Sequence, residues 1–380
     1  KHWSRGLGDV YKRQFLYYTY TQNPTLDTSS LHGLLKRSNK SPYTINSGRL
    51  KDYNTALHLD NKLTVQYLKS KSLNRKNIKH VSDTVFDIER DETGKVKKII
   101  CGNHIIEGDI FIDCTGYKRI FSSKSDWISF KDNLPMNSVT TFTRKHQESM
   151  VTKADKLKIG WCWQIPTQER LGCGYVSCDE WGDNVIDEIK LNYPDAEIVK
   201  SFKFESGKLK KSWNHNVVSL GLAYHFLEPL QATNIHLTLV QIEMLCQKCI
   251  RDTKDRTLNP NVISYYNKHI DNLIEDFKNF INIHYSCDSR VKMTDYNNEI
   301  IDLLKVRGLF HEDILQEYGS CGVQLWGHTL LGLNHLTKQD CHKFLSEMNS
   351  YDEVKEVSNE LEESFTNTPF LTYKELIDIL

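Results

Sequence analysis

Three stretches of the sequence carry residue types whose spacing suits chemistry on a bound ligand. In the first, Glu107 to Gly116, an apolar strand (Asp109–Cys114) runs out at Asp113-Cys114-Thr115-Gly116. Ligands of open α/β sheets sit beyond the carboxyl ends of strands, and a glycine there lets backbone come close to them. In the second, Val217–Ala223 reads as a strand closed by Gly221-Leu222-Ala223, and Phe226–Ile235 leads through a proline loop into a helix. Thr233 or Asn234 suits the N-cap of that helix. The unpaired N–H groups and partial positive charge of a helix start hold an anion or a developing negative charge. In the third, Gly160-Trp161-Cys162-Trp163-Gln164-Ile165-Pro166 sets two tryptophans two residues apart. In a strand they share a face and can wall a dry cavity. Each stretch also has a plainer reading: a strand and a turn, a core helix with an ordinary cap, and two core tryptophans.

The elements that must position these residues follow from periodicity. Leu59, Leu63, Tyr67 and Leu68 fall at helical spacing within Leu57–Ser72. Ile78–Val81 reads as a short strand. Thr84–Arg90 and Val96–Cys101 flank Asp91-Glu92-Thr93-Gly94, the signature of a hairpin. Asp109–Cys114 is an unbroken apolar run, the pattern of a strand buried on both faces. Ser138–Arg144, Gly160–Ile165 and Gly172–Cys178 make a second β-rich stretch. Val185–Phe204 pairs a helix with a strand, and Asn216–Leu220 is one more strand. From Ile235 the pattern is mostly helical, through Ile235–Ile250, Val262–Ile283, Ile300–Leu304 and the stretch from Lys338. On the first of these helices Ile235, Leu239, Ile242, Cys246 and Cys249 share the apolar face. Ahead of all this, Lys1–Gln14 reads as a tail or foreign sequence and Phe15–Tyr20 as strand-like. Gln22–Gly48 reads as loop with one short helix near Leu31–Lys36.

Composition narrows the class of partner. Lys plus Arg and Asp plus Glu number 49 each, so no net charge draws the chain to nucleic acid or a membrane surface. Apolar runs such as Leu227–Leu230 are too short to cross a bilayer. No signal-like succession opens the sequence, and the ten cysteines are scattered, so a cytoplasmic protein is expected. Cys246 and Cys249 form a single C-x-x-C inside a helical pattern. They read as buried helix cysteines, and no metal site is expected.

Taken together, the three stretches resemble the flavin-dependent tryptophan halogenases. The family's W-x-W-x-I-P is matched by Trp161–Pro166, and its F-I-D-C-[ST]-G by Phe111–Gly116. Its G-[LN]-A…F-[LV]-E-P-L-E-[SA]-T run is matched, with changes, by Gly221–Thr233. Leu57–Asp60, Gly172–Ser177, Phe280, His284, Tyr285 and Arg290 follow in the family's order. The resemblance implies an α/β (α+β) architecture: a flavoprotein monooxygenase-like FAD-binding fold with a β-rich middle layer and a mostly helical C-terminal substrate module. Residues 15–250 would form the FAD-binding module and 251–380 the helical one. It also implies FAD, supplied as FADH2 by a separate flavin reductase, with chloride or bromide and a small aromatic substrate such as tryptophan. In such enzymes oxygen and halide react at the reduced flavin to give hypohalous acid. The acid crosses a dry tunnel to a lysine beside the substrate, and a glutamate assists.

Carried over residue by residue, Leu222 and Ile235 would contact the flavin, with Gly221, Ala223 and Gly116 close to it and Val81 near its adenosine end. The backbone at Thr233 and Asn234 would hold the halide. Trp161 and Trp163 would wall the flavin side, and Trp326 would belong to the substrate pocket. Two departures change the expectation. The family's catalytic glutamate falls on Gln231, which keeps the shape and the hydrogen bonding but cannot act as a base. The sequence has no G-x-G-x-x-G, since Gly6-Leu7-Gly8 lacks its third glycine, and the family's lysine has no counterpart that can be named. An N-terminally incomplete member is therefore expected, binding FAD weakly, halogenating poorly, and exposing apolar surface where a first strand would pair. A flavin hydroxylase and a non-catalytic remnant of the same fold are the alternatives.

Overall fold

The computed structural model describes residues 31–52, 58–147, 149–250, 259–309, 311–315, 317–336, 363 and 365–379. Its centre is a five-stranded antiparallel sheet in the order β12-β8-β11-β10-β9. The strands are β8 (Ser138–Arg144), β9 (Lys153–Leu157), β10 (Gly160–Pro166), β11 (Leu171–Ser177) and β12 (Glu197–Lys203). Both faces are covered, which is why its sequence alternates between two kinds of apolar residue rather than apolar and polar. Val139, Trp161 and Val176 face the main core, while Phe142, Cys162, Cys173 and Tyr175 face a smaller one closed by Ile189 and Tyr193. Ile189 comes from a helix at Val185–Asn192, so the helix-then-strand reading of 185–204 holds.

Close approach of β10 and β11 depends on two glycines. A Cβ on Gly160 would lie 1.9 Å from the Val176 carbonyl oxygen, and one on Gly174 would lie 2.0 Å from Cζ2 of Trp163. The first contact is with backbone and cannot be relieved by a rotamer change. Gly160→Ala is therefore expected to cost about 3 kcal/mol, the upper range for overpacking. A urea titration would show this as a lowered midpoint, and an unchanged midpoint would contradict the strand spacing.

Beside the large sheet lies a small parallel pair that sets the site. β6 (Phe111–Asp113) and β15 (Val217–Ser219) run parallel with Asp113 opposite Ser219, and β14 (Trp213–Asn214) flanks β15. The hairpin β3 (Val85–Arg90) and β4 (Val96–Cys101), extended by β5 (Ile105–Glu107), docks on it through Asn216. The Asn216 amide accepts from Val96 N at 2.9 Å and donates to Val96 O at 2.8 Å. A third sheet, β16-β13-β7, joins β7 (Trp127–Ser129), β13 (Gly207–Leu209) and β16 (His225–Phe226). Through the main core runs α5, the helix Pro260–Ile283, with Tyr266, Ile270, Leu273, Phe277 and Phe280 buried along one face. Each such side chain stabilises the fold by about 1.5–3 kcal/mol of transfer free energy.

Several expectations need correction. Residues 40–46, expected in a loop, are a strand: Lys40–Asn46 pairs with Arg49–Asp52 as a hairpin and with Phe370–Thr372 on its other side. Ile78–Val81 is irregular chain rather than a strand, so Val81 is half-buried without a sheet partner. The strand at 109–114 shrinks to three residues and is not buried on both faces, since Ile112 is 49% exposed. The helix at Asn61–Leu73, capped by Asp60, buries no residue, leaving Leu63 and Tyr67 in solvent. Ile112 and Tyr117, beside the short parallel pair, are exposed. Lys1–Gln14, Phe15–Tyr20 and most of the stretch from Lys338 lie outside the described residues. No described helix is long and apolar enough to cross a membrane.

Candidate active site

The end of β6 and the end of β15 meet at one corner. Leu220 N donates to Asp113 O at 2.9 Å, so the D-C-T-G turn and the Gly221-Leu222-Ala223 turn leave the sheet side by side. Both turns use left-handed glycine: Gly116 has φ +65° and Gly221 φ +53°. Space is open where a Cβ on Gly116 would point, whereas one on Gly221 would press on Thr238 of the following helix at 3.1 Å. Gly221 N is held by Gln241 Oε1 at 3.0 Å, and Gln241 reaches on to Ser212. Leu222 is half-buried and Ala223 fully buried, so Ala223 packs the turn from within.

After Ala223 the chain runs through β16 and turns into the helix Thr233–Glu243, α4 in chain order. The turn is strained. Gln231 (φ 58°) and Ala232 (φ 53°) are consecutive non-glycine residues in the left-handed region, each costing about 1 kcal/mol or more. Such strain persists where surrounding structure imposes it, and here Asn234 does so. Its amide accepts from Leu227 N at 2.8 Å and donates to Leu227 O at 2.7 Å, pinning the loop like a strand partner. The expected cap is thus displaced: Ala232 holds the N-cap position, and the Thr233 side chain is buried, bonded to Leu230 O at 3.4 Å. The first-turn N–H groups of α4 have no intrahelical acceptor, and the Gln231 side chain beside them is exposed.

The apolar face of α4 also differs from expectation. Ile235 is 66% and Leu239 61% exposed and Ile242 faces solvent, while Thr233, Leu237, Val240 and Gln241 are buried; in the turn that continues it, Met244–Ile250, Cys246 is exposed and Met244, Leu245 and Cys249 are buried. The C-x-x-C is therefore half exposed, and among the described residues no group of His, Cys, Asp and Glu could hold a metal.

The tryptophan pair is joined to this corner by a buried hydrogen-bond chain. Trp161 and Trp163 lie on one face of β10 with ring centroids 6.0 Å apart. Trp161 Nε1 donates to Tyr285 Oη at 3.0 Å, and Tyr285, delivered by the end of α5, donates to Glu228 Oε2. Met136 N donates to the other Glu228 oxygen at 3.2 Å. Glu228 is fully buried, and burial lifts its carboxyl to about 7, against the hydrogen bonds that favour the charged form. The Tyr285 hydroxyl is pushed well above its ordinary range by the same burial. Beside this chain lies a cavity of about 180 Å³ lined by Trp161, Leu230, Tyr285, His284, Lys156 and Asp288. Leu230, which lines the cavity, immediately precedes Gln231 in the chain.

Glu228 stood in the quoted F-L-E-P-L run with no role assigned, although an acid among apolar residues signals a buried, partnered carboxyl. Arg119 was also missed. Its guanidinium lies 3.7 Å from the Trp127 ring centroid, and burial lowers its pKa. Trp326 is fully buried, edge-on to Phe280 and Tyr296 at 5.4 and 5.9 Å between centroids, and Phe280 packs in turn on His284 of the cavity lining.

Three buried groups near the corner lack partners among the described residues: Asp113 Oδ2, Arg119 Nε and Nη2, and both ring nitrogens of His225. Asp113 and Arg119, with the open side of Gly116, suit the polar atoms of a nucleotide cofactor, so the residues present fit FAD. His225 is different, because β16 encloses it, and burial pushes its pKa down to about 3. Its folded value lies below the ordinary 6.5, so its contribution is present above pH 6.5 and lost as pH falls towards 3. His225→Leu is expected to remove that acid loss, about 1.4 kcal/mol per pH unit below 6.5. Denaturation midpoints at pH 7.5 and 5.5 test it; equal pH sensitivity in both proteins would refute the buried, unpaired imidazole.

Comparison with known proteins agrees with this geometry. The family described as Tryptophan halogenase matches residues 11–300. A tryptophan 7-halogenase of Lentzea aerocolonigenes is 25% identical over 267 residues, taking in 67% of this chain and 49% of that protein. A tryptophan 6-halogenase of Streptomyces albogriseolus is 26% identical over 273 residues, 68% of this chain and 50% of that one. The chain thus spans about half the length of these relatives. Among solved structures, a tryptophan halogenase from Shewanella frigidimarina superposes with TM-score 0.82 at 19% identity, covering 97% of this chain and 75% of that one. A tryptophan 6-halogenase from Streptomyces toxytricini gives 0.80 at 21% identity, covering 97% and 79%. The fold is that of the flavin-dependent halogenases, and the chain belongs to the tryptophan halogenase family.

Proposed function

We propose that this protein is a flavin-dependent halogenase acting on tryptophan or another indole. The observation that carries the reading is the chain Trp161–Tyr285–Glu228, which ties the W-x-W strand to the Glu228–Leu230 segment just before the strained turn, beside one small cavity. FAD would sit at the corner of Gly116, Gly221, Leu222 and Ala223, with Asp113 and Arg119 meeting its polar atoms. FAD bound there, reduced by a separate flavin reductase, would supply the two electrons that bring oxygen to the level at which it oxidises a halide.

The residues of the chain then divide the remaining work. First-turn N–H groups of the helix at Thr233 and Asn234 hold chloride or bromide, and the left-handed pair Gln231–Ala232 aims them outward. Trp161, Leu230 and Tyr285 keep water from the cavity, which protects a reactive halogenating species from hydrolysis. Gln231, exposed at the turn before the helix, can donate or accept a hydrogen bond but cannot take up a proton, so turnover is slow. The position of Ile235, exposed on α4, leaves it available to cover the cofactor.

The test is a product assay with FADH2, oxygen, bromide and tryptophan. A product heavier by bromine less hydrogen supports the reading. A product that gains one oxygen whether or not bromide is present would replace it with a hydroxylase, the second reading, which Gln231 favours. No product and no flavin binding would leave a non-catalytic member of the family.

A further inference from the structure

We infer that the protein has a second ligand site, for a chain of phosphates, along the β14–β15 edge of the small parallel sheet. A cleft of about 630 Å³ opens there, within the range of small-molecule sites and larger than the cavity beside Trp161. Lys95, Lys210, Lys211 and Lys268 line it, all four exposed and none with an ion-pair partner among the described residues. His215 and Asn214 complete the rim, and the buried Trp213 forms its floor.

An adjoining cleft of about 200 Å³ shares Lys210, Lys211 and Asn214 and adds Arg90. The two clefts adjoin along Lys210, Lys211 and Asn214, so cations line both. Arg90 uses its donors on Gly94 O and Phe121 O, which leaves its charge unneutralised.

Among the described residues, one acid lines each cleft, Asp271 the larger and Asp126 the smaller. Asp271, which lines the larger cleft, is already held by buried Lys208, which also holds Glu275. Asp126, in the smaller cleft, accepts from Ser123 N in a capping turn. The excess of positive charge is local, since the whole chain is neutral.

Lysine ammonium groups are compact point charges with rotatable donors, suited to phosphate oxygens that differ in orientation. The start of α5, where Pro260 and Ile263 line the cleft, adds the favourable end of a helix dipole. Concavity, with cations lining both clefts, selects an extended small anion over a flat protein surface. A polyphosphate fits, free or as part of a nucleoside triphosphate.

Calorimetric titration of the whole protein with tripolyphosphate, ATP and orthophosphate tests the site. Tripolyphosphate is expected to bind, more weakly as salt rises. Lys210→Ala/Lys211→Ala is expected to weaken it at least about ten-fold, the loss of one to two charge-assisted contacts. The same variant is expected to keep its far-ultraviolet spectrum and its affinity for FAD, which separates these clefts from the flavin's own pyrophosphate. ATP binding more tightly than tripolyphosphate would identify a nucleotide as the ligand; equal binding would identify the phosphate chain. No binding at millimolar ligand, orthophosphate binding as tightly as tripolyphosphate, or an unaffected double variant would overturn the inference.

Discussion

Replacing Glu228 by alanine is expected to cost about 3–5 kcal/mol of stability and to abolish activity. The loss has three parts. The Tyr285 hydroxyl and Met136 N–H lose their buried acceptor, at about 1–3 kcal/mol for each group left unpaired. A void opens among side chains that are already close-packed, and it collapses only partly. Tyr285, released, no longer fixes the indole of Trp161, so the cavity wall loosens as well.

Glu228→Gln separates the network from the charge. Glutamine keeps the shape and can still accept from Met136 N, so the fold should persist. The carboxyl's folded value of about 7 lies above its ordinary 4.5, so the native state keeps a proton that the unfolded chain has released between those values. Its contribution is therefore full below pH 4.5 and lost as pH rises through 7, by about 1.4 kcal/mol per unit at most. His225, whose value is depressed, works in the opposite direction below 6.5, which is why the difference between wild type and variant, and not the raw profile, is the readout. Wild type should gain on Glu228→Gln in going from pH 8 to pH 5. A constant difference would mean that Glu228 is ionised throughout.

Gln231→Glu is expected to raise halogenation about 100-fold or more, the lower range for a well-placed acid–base group. The substitution is close to isosteric, and the left-handed backbone at φ 58° costs glutamate no more than glutamine. The side chain is exposed at the start of the helix, so its carboxylate is not penalised by burial. FAD affinity should not change, because the corner glycines and Asp113 are untouched. Steady-state product formation with bromide, measured alongside flavin titration, checks both halves. An unchanged rate would show that no carboxylate is needed at this position.

Legibility followed the locality of the interaction. The hairpin of β3 and β4 was readable because Asp91 and Gly94 encode its turn, and the face shared by Trp161 and Trp163 because a strand has period two. The corner was readable because Gly116 and Gly221 mark where left-handed backbone is needed. The strand at Lys40–Asn46 was not, since its partner Phe370–Thr372 lies over the whole length of the chain and leaves no local pattern. The face of α4 was misread because its buried side carries Thr233 and Gln241, polar residues satisfied by Leu230 O and Gly221 N. Periodicity follows hydrophobicity and cannot see a hydrogen bond made to another element. Trp326 could be read only by residue type: an aromatic in an apolar helix looks the same whether rings or a ligand surround it. Val81 rested on the resemblance alone, with no turn or pairing signal of its own.

The central claim is that the corner joining Asp113–Gly116 to Gly221–Ile235 wraps a flavin beside the tryptophan strand. Amide hydrogen exchange with and without saturating reduced FAD addresses it most directly, because it locates the cofactor even where affinity is low. The expected result is slowed exchange at residues 113–116, 220–224 and 231–235, and in the W-C-W segment. Protection elsewhere, with these segments unchanged at saturating flavin, would contradict the account.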